Sequence, residues 1–165
     1  MTVTDGSTSR LERAYDAYAD MLYRLALSQL NHSEDAEDAV QDVFARYVTH
    51  APDFTDSEHE RAWLVRVTVN RCHDLARRRS IRTHEELDEQ HDIPVQQESS
   101  GSAVLDTLAD IPEKYRTSIV LHHLEGFSVE EVAAMLRVSV SAVKMRLSRG
   151  REMMKALLQK EDHNV

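Results

Sequence analysis

The chain has 165 residues, of which 5% are aromatic and 30% charged, and it carries a formal net charge of minus 9. Its single cysteine, Cys72, excludes an internal disulfide, and no apolar run reaches membrane-spanning length, so we expect a cytoplasmic protein without membrane insertion. The low aromatic content and the scarcity of glycine and proline favour an all-α fold over a β-rich core.

Charge is sorted into blocks along the chain. Residues 31–60 hold nine acids and one arginine, for minus 8, whereas 61–84 hold seven arginines and one aspartate, for plus 6. Residues 85–100 hold six acids and no lysine or arginine, and 144–160 hold six bases and one acid, for plus 5. The total opposes nucleic-acid binding, but two basic segments separated by an acidic one permit it locally.

Two helices are predicted before the first basic segment. Residues 1–10 are expected to be disordered, and Asn31 and His32 to end the first helix. Ser33 is placed to cap the second helix, whose first turn is acidic and so suits the helix dipole. The first helix has an apolar stripe of Tyr15, Tyr18, Leu22, Leu25 and Ala26. The second has a stripe of Val40, Val43, Phe44, Tyr47 and Val48, which leaves Asp38, Gln41, Asp42 and Arg46 outside it.

A third helix is predicted to begin near Glu58, after a loop from Ala51 to about Ser57. Its inner face consists of Leu64, Val65, Thr68, Val69, Cys72, Leu75 and Ala76. The opposite face carries a polar and basic stripe of Arg66, Asn70, His73 and Arg77. Further arginines follow at positions 78, 79 and 82, which favours phosphate contact over the alternative of an ordinary solvated face.

A linker is predicted between two small helical domains. Residues 83–102 are acidic, lack helical or strand periodicity and end in serine and glycine, which is typical of a flexible linker. We therefore expect an amino-terminal domain over 11–82 and a carboxy-terminal domain over 103–160. The second domain should open with a short helix around Leu105, followed by a helix with Pro112 in its first turn.

The stretch from Glu125 to Arg151 predicts two helices joined by a tight turn, a helix-turn-helix. Ser128 can cap the first helix at Val129 in a capping box with Glu131, and Ser139 can cap the second. The turn holds Arg137 where glycine is usual, which costs about 1 kcal/mol if the residue is left-handed.

The second helix of this motif has the pattern of a DNA recognition helix. Apolar residues recur at steps of three and four and should face inward: Val140, Val143, Leu147, Gly150, Met154 and Leu157. The outward set is Ser141, Lys144, Met145, Ser148, Arg151 and Lys155, with Arg146 and Arg149 flanking it. In a major groove, the first of these would reach base edges and the flanking arginines phosphates. A helical hairpin with a solvated basic face is the alternative.

Patterns for catalysis and metal binding are weak. His84 and Glu85 begin a zinc-protease-like motif, but Asp88 stands where its second histidine should be. The pairs Cys72–His73 and His122–His123 are neighbours that point apart on a helix. We therefore expect no enzyme activity, no catalytic residue, no metal, no cofactor and no small-molecule substrate.

Three segments carry a family resemblance: AEDAVQDVF (36–44), WLVRVTVNRCHDLARRR (63–79), and IPEKYRTSIVLHHLEGFSVEEVAAML followed by SAVKMRLSRGR (111–136 and 141–151). In this order they resemble the extracytoplasmic-function (ECF) group of bacterial RNA polymerase sigma factors. The resemblance implies partners, namely core RNA polymerase, promoter DNA and an inhibitory anti-sigma factor.

The resemblance also implies roles for individual residues. Asp38, Gln41 and Asp42 would dock on the clamp helices of the largest polymerase subunit. Recognition of the minus-10 element would fall to Arg66, Asn70, His73 and Arg77, helped by the 51–57 loop, where family members trap a flipped base. Recognition of the minus-35 element would fall to Ser141, Lys144, Met145, Arg146, Ser148, Arg149 and Arg151.

Two other classes of function stay open on the sequence. A helix-turn-helix transcription regulator that is not a polymerase subunit would need only the terminal motif, but the first 79 residues lack the βα alternation of a typical receiver domain. A structural or adaptor protein would bind no DNA at all.

Overall fold

A computed structural model of the chain describes residues 4–89 and 103–164. Every regular element in these two ranges is a helix, which confirms the all-α prediction. In chain order they are α1 (Thr4–Leu30), α2 (Ser33–His50), α3 (Ser57–Glu89), α4 (Ala103–Ala109), α5 (Glu113–Ile119), a π-helical turn (Val120–Leu124), α6 (Val129–Leu136) and α7 (Val140–His163). Within the described ranges, no helix has the length and apolarity needed to cross a membrane.

Helices α1, α2 and α3 pack together as a three-helix bundle. Each contributes an apolar stripe at helical spacing, and side chains such as Leu22, Val43 and Leu64 are fully buried where the stripes meet. Asn31 ends α1 in the left-handed conformation, with φ of 48°, which asparagine tolerates better than most residues.

Four details of this bundle differ from the predictions. Two predicted members of the apolar stripes are exposed, namely Tyr15 of α1, at 53%, and Ala76 of α3. Residues 4–10 are helical rather than disordered, since α1 starts at Thr4. The side chain of Arg10 bonds to Tyr47 and to the Pro52 carbonyl, and local composition cannot reveal such long-range contacts. The cap of α2 is His32, whose side chain accepts from the Asp35 backbone N–H, and not Ser33. Val48 is 59% exposed, because the buried stripe of α2 ends at Tyr47.

The carboxy-terminal half is built on the crossing of α5 and α7. Gly150 makes a close approach possible, since a Cβ atom there would lie 2.5 Å from Ile119 Cδ1. Pro112 is the residue before α5 rather than part of its first turn. The π-helical turn ends near Gly126, whose φ of 78° redirects the chain toward α6.

The two halves contact each other through a surface that we call the junction, where α1 meets α4 and α5 and where α3 meets α6. Helix α3 continues through Glu89, seven residues into the stretch predicted to lack helical structure. The rest of the predicted linker, 90–102, lies outside the described residues. The domain limits 11–82 and 103–160 therefore stay predictions.

Candidate nucleic-acid and polymerase-binding surfaces

The helix-turn-helix forms as its capping residues predict. Ser128 and Glu131 make the reciprocal capping box of α6, and the Ser128 backbone N–H that Glu131 accepts holds the pKa of this carboxyl below its usual value. Ser139 caps α7 by accepting from the Ala142 N–H at 3.1 Å. Arg137 occupies the turn with φ of 56° and ψ of 45°, so this arginine is indeed left-handed.

Helix α7 presents an open basic face. Val143, Leu147 and Gly150 are buried against the rest of the carboxy-terminal half. The exposed residues include all of the predicted outward set, namely Ser141, Lys144, Met145, Ser148, Arg151 and Lys155, and also Arg149. Arg146 is half-buried. The face is thus sterically free to enter a major groove, as a recognition helix requires.

Arg149 differs from its neighbours because its charge acts on Tyr115 of α5. The Arg149 guanidinium is the main cause that lowers the pKa of the Tyr115 phenol. The sequence alone could not reveal this effect, because the two residues are far apart in the chain.

The polar stripe of α3 lies along one face, but the junction covers part of it. Asn70, His73 and Arg77 are exposed, whereas Arg66 is half-buried. Burial, followed by the charge of Arg137, lowers the pKa of Arg66. His73 Nε2 pairs with the Glu113 carboxylate of α5, and Arg77 binds Asp74 at 3.2 Å on its own helix. The four predicted residues therefore share a face without being equally free.

Cys72 lies on the buried side of α3, near α5. Its thiol is 1% exposed, and burial, assisted by the Glu113 carboxylate, raises its pKa to about 12. A thiol this far from ionisation is a packing residue rather than a nucleophile or metal ligand.

The predicted docking residues lie on α2 as expected, but they differ in exposure and in bonding. Asp38 and Gln41 are exposed, and Gln41 lines a groove of about 400 Å³ between α1 and α2 whose walls include the half-exposed ring of Tyr15. Asp42 instead accepts a 2.6 Å hydrogen bond from Arg71 Nε of α3. Its carboxylate is already part of the bundle.

Sequence reasoning missed a cluster of side chains around the 51–56 loop. Phe54 of the loop stacks on Tyr47 with ring centroids 6.1 Å apart and meets the edge of Trp63 at 5.8 Å. Glu60 is buried beside them and accepts from the Tyr47 phenol at 3.2 Å. Arg10 completes the cluster from α1. Only Phe54 and Trp63, as aromatic residues near a loop, carry a local sequence signal.

The metal-binding candidates gain no support from the geometry. Among residues 4–89 and 103–164, no group of three or more histidine, cysteine, aspartate or glutamate side chains could hold an ion. His122 Nδ1 is bonded to the Phe127 carbonyl at 2.7 Å, which is a structural role. The side chains of His84 and Glu85 lie outside the described residues.

Comparison with known families matches both halves of the chain. Residues 14–81 match the family model of sigma-70 region 2, and residues 102–154 match that of sigma-70 region 4. The first match contains α2 and the polar stripe of α3, and the second contains the helix-turn-helix. Arg10 lies just before the first match.

Individual sigma factors are similar over most of the chain. The ECF sigma factor SigE of Mycolicibacterium smegmatis is 32% identical over 87% of this chain, which spans 59% of that protein's length. The RNA polymerase sigma factor CnrH of Cupriavidus metallidurans is 33% identical, over 75% of this chain and 73% of its own. A solved structure of Bartonella quintana RpoE, in complex with the anti-sigma factor NepR, has a TM-score of 0.72 and 25% identity, and the match covers 90% of this chain and 96% of that one. The chain is therefore a member of the ECF group of RNA polymerase sigma factors.

Proposed function

We propose that this chain binds core RNA polymerase and directs promoter-specific initiation of transcription by recognising the minus-10 and minus-35 elements. The observation that supports this most is the presence of two basic reading helices, α3 and α7, in separate halves of one chain that match regions 2 and 4. A sigma factor acts by binding, so we assign no catalytic role to any residue. Its place of action is the cytoplasm, where promoter DNA and polymerase are found in bacteria.

In this proposal the DNA contacts divide between α3 and α7. Helix α3 reads the minus-10 element with Arg66, Asn70, His73 and Arg77. Helix α7 reads the minus-35 element, with base contacts from Ser141, Lys144, Met145 and Ser148, and phosphate contacts from Arg146, Arg149 and Arg151. The exposure of nearly all of the α7 set supports the second assignment.

We assign polymerase docking to α2 and rank its residues by how exposed their side chains are. Asp38 and Gln41 are free to meet another protein, whereas Asp42 must first release Arg71. We therefore place the main docking contribution on Asp38 and Gln41, with Asp42 secondary. The exposed Tyr15 ring beside the same groove adds apolar surface to this face.

We also propose that an anti-sigma factor regulates the chain. The similar RpoE structure was solved with its anti-sigma factor NepR, and this chain covers nearly all of that sigma factor. The alternative of a helix-turn-helix regulator outside the polymerase is not favoured, because the match extends over region 2 and not only over the terminal motif.

The test combines polymerase binding with transcription. Purified chain is titrated against core RNA polymerase, and run-off transcription is measured on a promoter with both elements. Asp38→Lys should weaken core binding by about tenfold, since it reverses a charge at a protein interface. Glu12→Lys, at an exposed acid on α1, is the matched control and should bind like the parent chain. A parent chain that neither binds core polymerase nor supports initiation would refute the proposal.

A further inference from the structure

The 51–56 loop between α2 and α3 is held from one side by an aromatic wall. The Phe54 ring stacks almost parallel to Tyr47, with an interplanar angle of 25°, and the His59 ring meets its edge at 5.2 Å. Trp63, one turn further along α3, packs against both Phe54 and Tyr47. These contacts fix the side chain of Phe54 at one end of the loop.

Arg10 holds the loop from the other side. Its Nη2 donates to the Pro52 carbonyl at 3.0 Å, and its Nε donates to the Tyr47 hydroxyl at 3.2 Å. The guanidinium carbon also lies 5.3 Å from the Phe54 ring centroid and 5.2 Å from that of Tyr47. One planar cation thus joins the loop backbone to both rings, a combination that a lysine cannot reproduce.

Tyr47, whose hydroxyl accepts a hydrogen bond from Arg10, is itself held in place. Burial, and after it the charge of Glu60, raises the pKa of Tyr47, so its phenol stays protonated and donates to Glu60 at 3.2 Å. Glu60 is 6% exposed and lies in the first turn of α3, where Arg13 of α1 also approaches it at 3.6 Å. The chain of contacts therefore runs from α1 through Tyr47 into α3, and the loop is fastened to three helices.

An open groove of about 340 Å³ lies over this arrangement and is lined by Arg10, Arg13 and Phe54 together with the acids Asp53, Asp56 and Glu60. Two arginines against three acids leave no excess of positive charge for a phosphate, whereas the mixture of hydrogen-bond donors and acceptors beside one aromatic residue suits the edge of an unstacked nucleobase. The groove fits the base of a separated strand better than the backbone of a duplex.

We infer that Arg10 is a positioning residue for minus-10 recognition. It holds the 51–56 loop in one shape before DNA arrives, so that the groove can accept one unstacked base of the promoter strand. This inference rests on the proposed function and adds to it a residue that lies outside the region 2 match, which starts at residue 14. Arg10 acts through the loop and not by contact with DNA phosphates.

The experiment measures binding of the holoenzyme to forked promoter DNA with an abasic site scanned through the minus-10 element. The parent chain should lose about tenfold in affinity at one position, the usual worth of one captured base. Holoenzyme with Arg10→Ala should bind the intact fork about tenfold more weakly than the parent does. The abasic site at the sensitive position should then reduce the affinity of this variant by less than about twofold. Arg10→Lys should behave like Arg10→Ala, because the geometry and not the charge is needed.

Arg46→Ala is the matched control, since it removes one exposed arginine from α2 and leaves the loop intact. It should keep the full abasic effect of the parent chain. Equal abasic effects in Arg10→Ala and in the parent would overturn the inference, as would a loss of core polymerase binding in Arg10→Ala and Arg10→Lys. A parent holoenzyme with no sensitive position would overturn the assignment of the loop as a base reader, and the inference with it.

The fluorescence of Trp63, the only tryptophan in the chain, gives a second readout without DNA. Arg10→Ala should shift its emission to longer wavelength, because Phe54 then moves away from the indole and admits water. Arg46→Ala should leave the emission unchanged. An Arg10→Ala spectrum identical to that of the parent, at equal helicity by circular dichroism, would also overturn the inference.

Discussion

The two helices proposed to read DNA, α3 and α7, differ in what covers them. The outward face of α7 is open along its length, whereas the polar stripe of α3 faces the junction, where Arg66 is half-buried and His73 is paired with Glu113. Both stripes were predicted by the same periodicity. Their difference shows that a helix pattern identifies a face but not its availability, since that depends on where the rest of the chain packs.

Pairs of opposite charge cross the junction. Arg24 makes two hydrogen bonds to Glu125, at 2.7 and 2.9 Å, and the Glu125 side chain is only 7% exposed. Arg61 binds Glu131 at 3.2 Å and lies over the Phe127 ring at 4.5 Å. Bases come from the amino-terminal half and glutamates from the carboxy-terminal half. The glutamates thus carry the charge sign of DNA phosphates, so in the proposed reading of the minus-10 element Glu113 would compete with DNA for His73.

The largest effect should appear in thiol labelling, which compares the two helices directly. Cys72 of α3 is buried with a pKa of about 12, against an ordinary 9.0, so its thiolate population near pH 8 is about a thousandfold below that of an exposed thiol. A cysteine placed on α7 by Ser148→Cys, in a Cys72→Ser background, should therefore react about a thousandfold faster. The measurement is the rate of modification by iodoacetamide. Similar rates at the two positions would mean that the buried side of α3 opens readily.

A charge swap at the junction should have the next largest effect. Glu125→Lys breaks a two-point charged pair with Arg24 and should cost the closed arrangement about 2–3 kcal/mol. The free chain should then expand in small-angle scattering and bind a minus-10 single strand more tightly. Restoring the pair as Arg24→Glu with Glu125→Lys should return both properties toward the parent values. If the single variant is as compact as the parent, the junction does not depend on this pair.

Lys144→Ala tests the open helix. Because Lys144 is exposed on the face proposed to read the minus-35 element, we expect a loss of about 1 kcal/mol in discrimination at one or two minus-35 positions. The check is transcription from a set of minus-35 variants with the parent and mutant holoenzymes. Arg146→Ala, in contrast, should weaken all of these promoters alike. A uniform loss for Lys144→Ala would move it to the phosphate group.

Arg137→Gly should give the smallest effect, in the stabilising direction. Glycine removes left-handed strain of about 1 kcal/mol, part of which is offset by its greater freedom in the unfolded chain, so a net gain of about 0.5 kcal/mol is expected. Arg137→Ala removes the charge that faces Arg66 but keeps the strain. Urea denaturation of the two variants separates strain from charge, and equal stabilities would show that the left-handed strain is no larger than the entropy cost of glycine.

Local chemistry explains why much of the fold was predictable. Capping by Ser128, Glu131 and Ser139, and the left-handed turn at Arg137, depend on residues within one helical turn of each other. The apolar stripes of α1, α2, α3 and α7 follow from helical periodicity, and so do the exposed residues of α7. Region identity followed from motifs of contiguous residues, and it agrees with both family matches.

The tertiary structure decided the relations between residues that are distant in the chain. The pairing of Asp42 with Arg71, the effect of Arg149 on the pKa of Tyr115 and the contacts of Arg10 with the 51–56 loop relate different parts of the fold, so no local spacing predicts them. The same holds for the junction, where Arg24 and Glu125 are 101 residues apart. Sequence periodicity determined which faces this protein has. Which of those faces are free to meet DNA or polymerase depends on long-range packing, because burial and charge pairing are set only when the two halves come together.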